Sequence, residues 1–117
     1  MLFFFLSKEV TYIQGFPDSY TLRDKIEFLQ RKILLNSIAY YMYDVSPLPD
    51  AYYDDLGKQL MMLQKEYGDI GDTKYGYAFK DFEGSTGFYL YYRLTEKDKS
   101  YLTSIAEHAL TKYIQEG

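Results

Sequence analysis

No cysteine occurs among the 117 residues, which excludes a disulfide, thiol chemistry and cysteine-ligated zinc. Tryptophan is absent too, and the one histidine, His108, has no second histidine with which to share a metal. It reads as a packed or surface side chain. Basic residues are outnumbered: 13 Lys and Arg against 17 Asp and Glu leave a net charge of −4. A general nucleic-acid binder needs a basic footprint, so that class is set aside, whereas a basic partner is admitted. Long apolar runs are missing as well. Met1 to Leu6 holds three phenylalanines in a row, but six residues are too few for a membrane span or a signal-peptide core, and no basic residue precedes them. The expected compartment is the cytoplasm, with no membrane role.

Tyrosine is in surplus. There are fifteen, and hydrophobic residues make up 47% of the chain, enough for a globular fold. At this length one domain, 1–117, is expected. Tyrosine standing in for Leu and Trp in the core is one reading of the surplus. An aromatic contact surface is the other, because tyrosine is enriched where proteins bind partners.

The expected fold class is α+β, mainly helical. Residues 2–13 read as a buried or partner-facing strand, from Val10, Tyr12 and the phenylalanines. Residues 15–19 are a loop by their Gly, Pro, Asp and Ser. Thr21, with Asp24 three later, opens a helix over 22–43 with Leu22, Ile26, Leu29 and Ile33 at helical spacing. Ile33, Leu34 and Leu35 are apolar on several sides, so this helix should be covered on more than one face. Pro47 and Pro49 should end it. A second helix, 50–67, carries Tyr53, Leu56, Leu60, Leu63 and Tyr67 as one stripe and stops at Gly68. With a short link the two should form an antiparallel hairpin. Residues 69–87 are rich in Gly, Asp, Thr and Ser. There the reading is a short β-hairpin, 74–82 and 88–94, turning at Gly84 to Gly87; the alternative reads 87–93 as a helical turn. Thr95 and Asp98 open a last helix, 96–115, with Leu102, Ile105, Ala106, Ala109, Leu110 and Tyr113 on its buried face.

Two motif likenesses fail on inspection. Gly84-Ser85-Thr86-Gly87 lacks the lysine and the frame of a phosphate loop. Lys80-Asp81-Phe82-Glu83-Gly84 misses the lysine-nucleophile spacing of nucleotidyltransferases by one residue.

The informative stretch is 40–56, with five tyrosines and four aspartates in seventeen residues. Asp50 and Asp54 share a helix face, with Tyr53 beside them. Tyr40 and Tyr41 end the preceding helix and come back over the start of the next. Two carboxylates facing a tyrosine pair make a seat for a flat cationic ring: the tyrosines stack, and the carboxylates supply charge and acceptors. Each residue also has a local reason to be there. Asp50 suits an N-cap, Asp54 and Asp55 suit the positive end of a helix dipole, and the tyrosines suit packing between helices.

This pattern resembles domain Ia of the NAD-dependent bacterial DNA ligases, a helical hairpin that recognises the nicotinamide mononucleotide half of NAD. The resemblance covers about 25–67, the core of the expected domain. It maps Tyr40 and Tyr41 onto the aromatic pair, Asp50 onto the first acidic contact, and Tyr53 and Asp54 onto the second pair. Asp44 and Leu56 match framework positions. It implies a binding module for nicotinamide mononucleotide or NAD, with no cofactor required. It does not imply an enzyme: no adenylation-lysine motif is present, and the later ligase domains do not fit in 117 residues. It also implies kinship with small stand-alone ligase-related proteins of phages and prophages. The alternative function is therefore a phage protein-interaction factor, anti-CRISPR-like, whose acidic tyrosine-rich surface occupies a basic site on a host protein. Tyr52, Asp54 and Asp55 are the interface candidates. Three covers are open to the tyrosine and carboxylate surface: the run of Phe3, Phe4 and Phe5; the run of Phe88, Tyr89, Tyr91 and Tyr92; or another protein. Another protein or a second copy of the chain, giving a homodimer, is the expected cover.

Overall fold

The structure is a computed structural model that describes residues 16–44, 50–84 and 88–116; the side chains of 50, 51, 53, 88 and 110–116 are not among those described. The element read over 2–13, the turn at 45–49 and the segment 85–87 lie outside these residues.

Helix α1 spans Leu22–Tyr43, α2 spans Asp50–Tyr67 and α3 spans Glu96–Glu116. The start of α1 is the expected one: Thr21 Oγ1 accepts from the Asp24 N–H at 3.1 Å, and the Asp24 carboxylate accepts from the Thr21 N–H at 2.9 Å. This reciprocal box satisfies two of the N–H groups that a helix start leaves without partners. The other end differs in cause from the proline reading. Asp44 adopts the left-handed conformation, φ 53° and ψ 40°, and its N–H turns back to the carbonyls of Ala39 and Tyr40. The helix is thus closed by its own cap, three residues ahead of Pro47. Gly68 ends α2 at φ 92°, its N–H donating to the Gln64 carbonyl at 3.0 Å.

Helices α1 and α2 pack against each other. Gln30, midway along α1, bonds Gln64 near the far end of α2. Five residues join Asp44 to Asp50, so the pair runs antiparallel. The buried residues of α1 are Ile26, Leu29, Gln30, Lys32, Ile33, Leu34, Asn36, Ser37, Ile38 and Ala39. At 100° per residue they cover roughly 260° of its circumference. The covers are α2, α3 and the segment Phe88–Arg93. Leu56 and Leu60 come from α2, Leu102 and Ala106 from α3, and Leu90 from the connecting segment. Leu63, Tyr67, Ile105 and Ala109 pack on the rim of this core.

The expected β-hairpin is a correction. No strand occurs among the described residues. Three short 3-10 turns stand in its place, Ile70–Asp72, Gly76–Ala78 and Phe88–Arg93. An alternating strand over 74–82 would bury Tyr75, Tyr77 and Phe79 on one face. The buried set is instead Tyr75, Ala78, Phe79 and Phe82, at steps of three, one and three, which is a helical period. Tyr77 and Asp81 point outward. Gly76 makes the path passable, since any Cβ there would collide with the Ile70 carbonyl. The reading of 87–93 as a helical turn agrees with the observed Phe88–Arg93.

The 69–82 segment is tied to the first half of α1. Arg23 Nη2 donates to the Asp72 carbonyl at 2.9 Å, and the Glu27 carboxylate accepts from the Lys74 N–H at 2.8 Å. Gln30 Nε2 donates to Gln64 Oε1 at 3.1 Å and to Thr73 Oγ1 at 3.2 Å. Tyr67 Oη donates to the Asp72 carboxylate at 2.9 Å. At its far end, Tyr77 Oη bonds Asp98 and accepts from the Thr95 N–H at 3.2 Å, which joins the segment to the start of α3. Thr95 Oγ1 accepts from the Asp98 N–H at 3.2 Å, so it caps that helix as the sequence predicts. Among the described residues no helix is long and apolar enough to cross a membrane.

Buried Tyr75 has no hydrogen-bond partner for its hydroxyl among the described residues. Its phenol is pushed up to about 12, chiefly by burial and then by the Asp98 carboxylate. An unfolded tyrosine ionises near pH 10, so the folded chain keeps this proton longer. The resulting stability is fully present below pH 10 and is lost as pH rises toward 12. Tyr75→Phe should therefore raise the unfolding free energy at neutral pH by about 1 kcal/mol, and the urea midpoint with it, through removal of a buried unsatisfied group. It should also flatten the loss of stability between pH 10 and 12. Urea titrations at pH 7 and across the alkaline range read both effects.

Candidate functional site

Ile38 and Ala39 anchor the last turns of α1 in the core, and this sets the rotation of the two residues that follow. Tyr40 and Tyr41 emerge from it, each 42% exposed. Their rings meet edge to face, with centroids 5.7 Å apart and planes at 87°. Asp44, expected as a framework position, earns that role as the left-handed cap that stops the helix one turn later. Tyr43 bonds the Glu107 carboxylate of α3 at 3.4 Å. Its phenol is raised, first by partial burial and then by that carboxylate.

Across the link, Asp50 begins α2. Tyr52, Asp54 and Asp55 are exposed in its first turns. Leu56, the other framework position, is buried and holds this end of α2 to the core. The Asp50 and Tyr53 side chains lie outside the described residues, so the structure places their backbone in the first turn of α2 and nothing more. Gly57 allows a close approach just beyond: a Cβ there would lie 2.7 Å from the Gly84 carbonyl oxygen, and Gly84 itself sits at φ 80°.

The aromatic run at 88–93 reaches the same end of the hairpin. Tyr41 stacks on Tyr91, with centroids 6.5 Å apart and planes at 27°, and meets Tyr92 edge-on at 5.4 Å and 74°. Tyr91 and Tyr92 are themselves edge to face at 5.5 Å. The Lys99 ammonium sits 5.2 Å from the Tyr91 ring centre, and the Arg93 guanidinium 4.7 Å from that of Tyr89. Arg93 also pairs with Asp81, and the hydrogen bonds from this guanidinium hold the Asp81 carboxyl below its ordinary range. Asp81 is thus a partner of Arg93. His108 is exposed on α3. Among the described residues no group of three His, Asp or Glu side chains is placed to hold a metal.

Of the three covers open to the site, the tyrosine run is the one the structure describes. It meets Tyr41 yet leaves Tyr40, Tyr41 and Tyr92 partly open to solvent. Tyr91 and Tyr92 are absent from the ligand contacts that the resemblance maps, but they belong to the aromatic run that the sequence offers as one of three covers of this surface. The signal available for them was a second tyrosine doublet in a short apolar run.

Compared with known families, residues 19–74 match the one described as the DNA ligase-like, N-terminal NAD+-binding domain. No curated protein and no solved structure matches the chain. The match is wider than the 25–67 core at both ends, and each addition has a structural counterpart. At the front lies the Thr21 and Asp24 box, and at the back lies the 69–74 segment held by Arg23, Glu27 and Gln30.

The stack of Tyr41 on Tyr91 joins matched and unmatched parts of the chain. Tyr41→Leu and Tyr91→Leu should be non-additive in stability, with a coupling of about 0.5–1.5 kcal/mol in a double-mutant cycle by urea denaturation. Additive losses would mean that the two rings do not support each other.

Proposed function

We propose that residues 19–74, a domain of the DNA ligase-like, N-terminal NAD+-binding family, bind the nicotinamide mononucleotide half of NAD without carrying out chemistry on it. The observation that carries this reading is the pair Tyr40 and Tyr41. It lies within the matched segment and is presented half-exposed at the end of the hairpin where the acidic start of α2 also lies. The oxidised nicotinamide ring is flat and positively charged, and it is attracted to tyrosine faces. Asp50 and Asp54 serve as acceptors for ribose hydroxyls and as counter-charges, and Tyr53 adds a ring or a hydroxyl contact. Binding of this kind asks the protein for shape and charge only.

Calorimetry tests it directly. Nicotinamide mononucleotide should give a saturable heat with the full chain, and Tyr41→Ala and Asp50→Ala should each abolish it. A silent titration at millimolar ligand would leave an inherited scaffold that has lost its ligand.

A second reading takes Tyr52, Asp54 and Asp55 as part of an interface with a basic protein. The exposure of all three side chains on one helix end favours it. Asp54→Lys with Asp55→Lys should then abolish partner binding. The melting temperature should move little, because each exposed first-turn carboxylate contributes only about 0.3–1 kcal/mol through the helix dipole. Partner binding that survives both the reversal and high salt sets this interface aside.

A further inference from the structure

We infer that Tyr92, from outside the family-matched segment, is a ligand-contacting residue of the nicotinamide site and favours the oxidised, cationic ring over the reduced, neutral one. The inference rests on the binding reading above and extends it to a residue that the family match does not reach.

The three tyrosines of Phe88–Arg93 differ in one respect. Tyr89 has the Arg93 guanidinium over its ring, and Tyr91 has the Lys99 ammonium. No Lys or Arg among the described residues lies over Tyr92, which is 65% exposed. This ring is also the one whose contact with Tyr41 is edge-on, at 5.4 Å and 74°. A ring has two faces, and the high exposure of Tyr92 leaves its ring open to solvent, whereas Tyr91 is only partly exposed and is stacked on Tyr41. Tyr91 thereby has both Tyr41 and Lys99 at its ring and acts as a positioning residue. It meets Tyr92 at 80° and fixes its angle. Tyr40, Tyr41 and Tyr92 then form a corner in which Tyr41 meets each of the other two near a right angle.

The charge around this corner points the same way. Arg93 is engaged by Asp81, and Lys99 lies 3.6 Å from Glu96. The nearby cations thus have carboxylate partners and leave the Tyr92 face for a cation from outside. A pyridinium ring has the size and charge to take it. Its reduced counterpart has the same size and no charge, so the preference between them measures the cation–π part of binding.

The test is calorimetry on the full chain with oxidised and reduced nicotinamide mononucleotide as probes. Wild type should prefer the oxidised form. Tyr92→Leu should weaken the oxidised form about tenfold, within the range of one cation–π contact, and leave the reduced form nearly unchanged. Tyr92→Phe should keep the preference, and Tyr92→Lys should remove it by placing a cation on the spot. If Tyr92→Leu and Tyr92→Lys both bind oxidised ligand as wild type does, while Tyr41→Ala does not, the inference is overturned and the binding reading stands. If wild type binds neither form, the binding reading falls and takes the inference with it. Melting curves of the three variants identify any loss that comes from unfolding. Retention by Tyr92→Phe with loss in Tyr92→Lys would carry the inference without Tyr92→Leu.

Discussion

Everything else in the structure answers to the burial of α1. A helix buried over most of its circumference cannot be satisfied by one amphipathic neighbour, because a helix partner covers only a stripe. It needs several covers, and the chain provides them in sequence: α2, then the short turns within 69–84 and 88–94, then α3. These two stretches are therefore part of the core and no mere linkers. Tyr75, Ala78, Phe79, Phe82, Leu90 and Leu94 are all buried within them.

Burying α1 also buries polar groups. Gln30, Lys32, Asn36 and Ser37 lie inside, together with Gln64 and Thr73. Gln30 supplies one donor nitrogen to two partners on two different elements, which ties α2 and the 70–74 turn to a single point on α1. Hydrogen bonds of this kind specify alignment more than they add net stability, because a slipped arrangement leaves buried amides without partners. The carbonyl oxygen of Gln30 and that of Asn36 lack partners among the described residues, a cost that surrounding apolar burial must offset.

The helices were legible in the sequence because their signals are local. Thr21 with Asp24, Thr95 with Asp98 and the glycine at 68 mark ends, and spacings of three and four mark faces. The expected limits 22–43 and 50–67 match Leu22–Tyr43 and Asp50–Tyr67, and the last helix differs by one residue. The strand reading of 74–82 and 88–94 failed for a physical reason, while the alternative of a helical turn at 87–93 agrees with the structure. Aromatic residues have high β propensity, and that preference outweighed a short helical spacing from Tyr75 to Phe82. Of the candidate site, the place of Tyr40 and Tyr41 at the end of α1 was legible from the sequence. The meeting of Tyr41 with Tyr91 and Tyr92 was legible only as one of three possible covers, because the intervening residues carry no local sign of which ring touches which. The left-handed Asp44 also went unread, since prolines nearby offered a simpler reason for the helix to stop.

That cap gives the tyrosine pair a property of timing. Tyr40 and Tyr41 stand on an uninterrupted helical shaft between Gln30, which is fastened to two other elements, and Asp44, where the shaft is cut. Each residue on such a shaft advances about 100° and 1.5 Å. Loss or gain of one residue between Gln30 and Tyr40 would swing both rings by that angle and aim them at a different neighbour, even with every side chain intact. Substitutions along the exposed side leave the phase alone. The segment should therefore tolerate changes of spelling far better than changes of length.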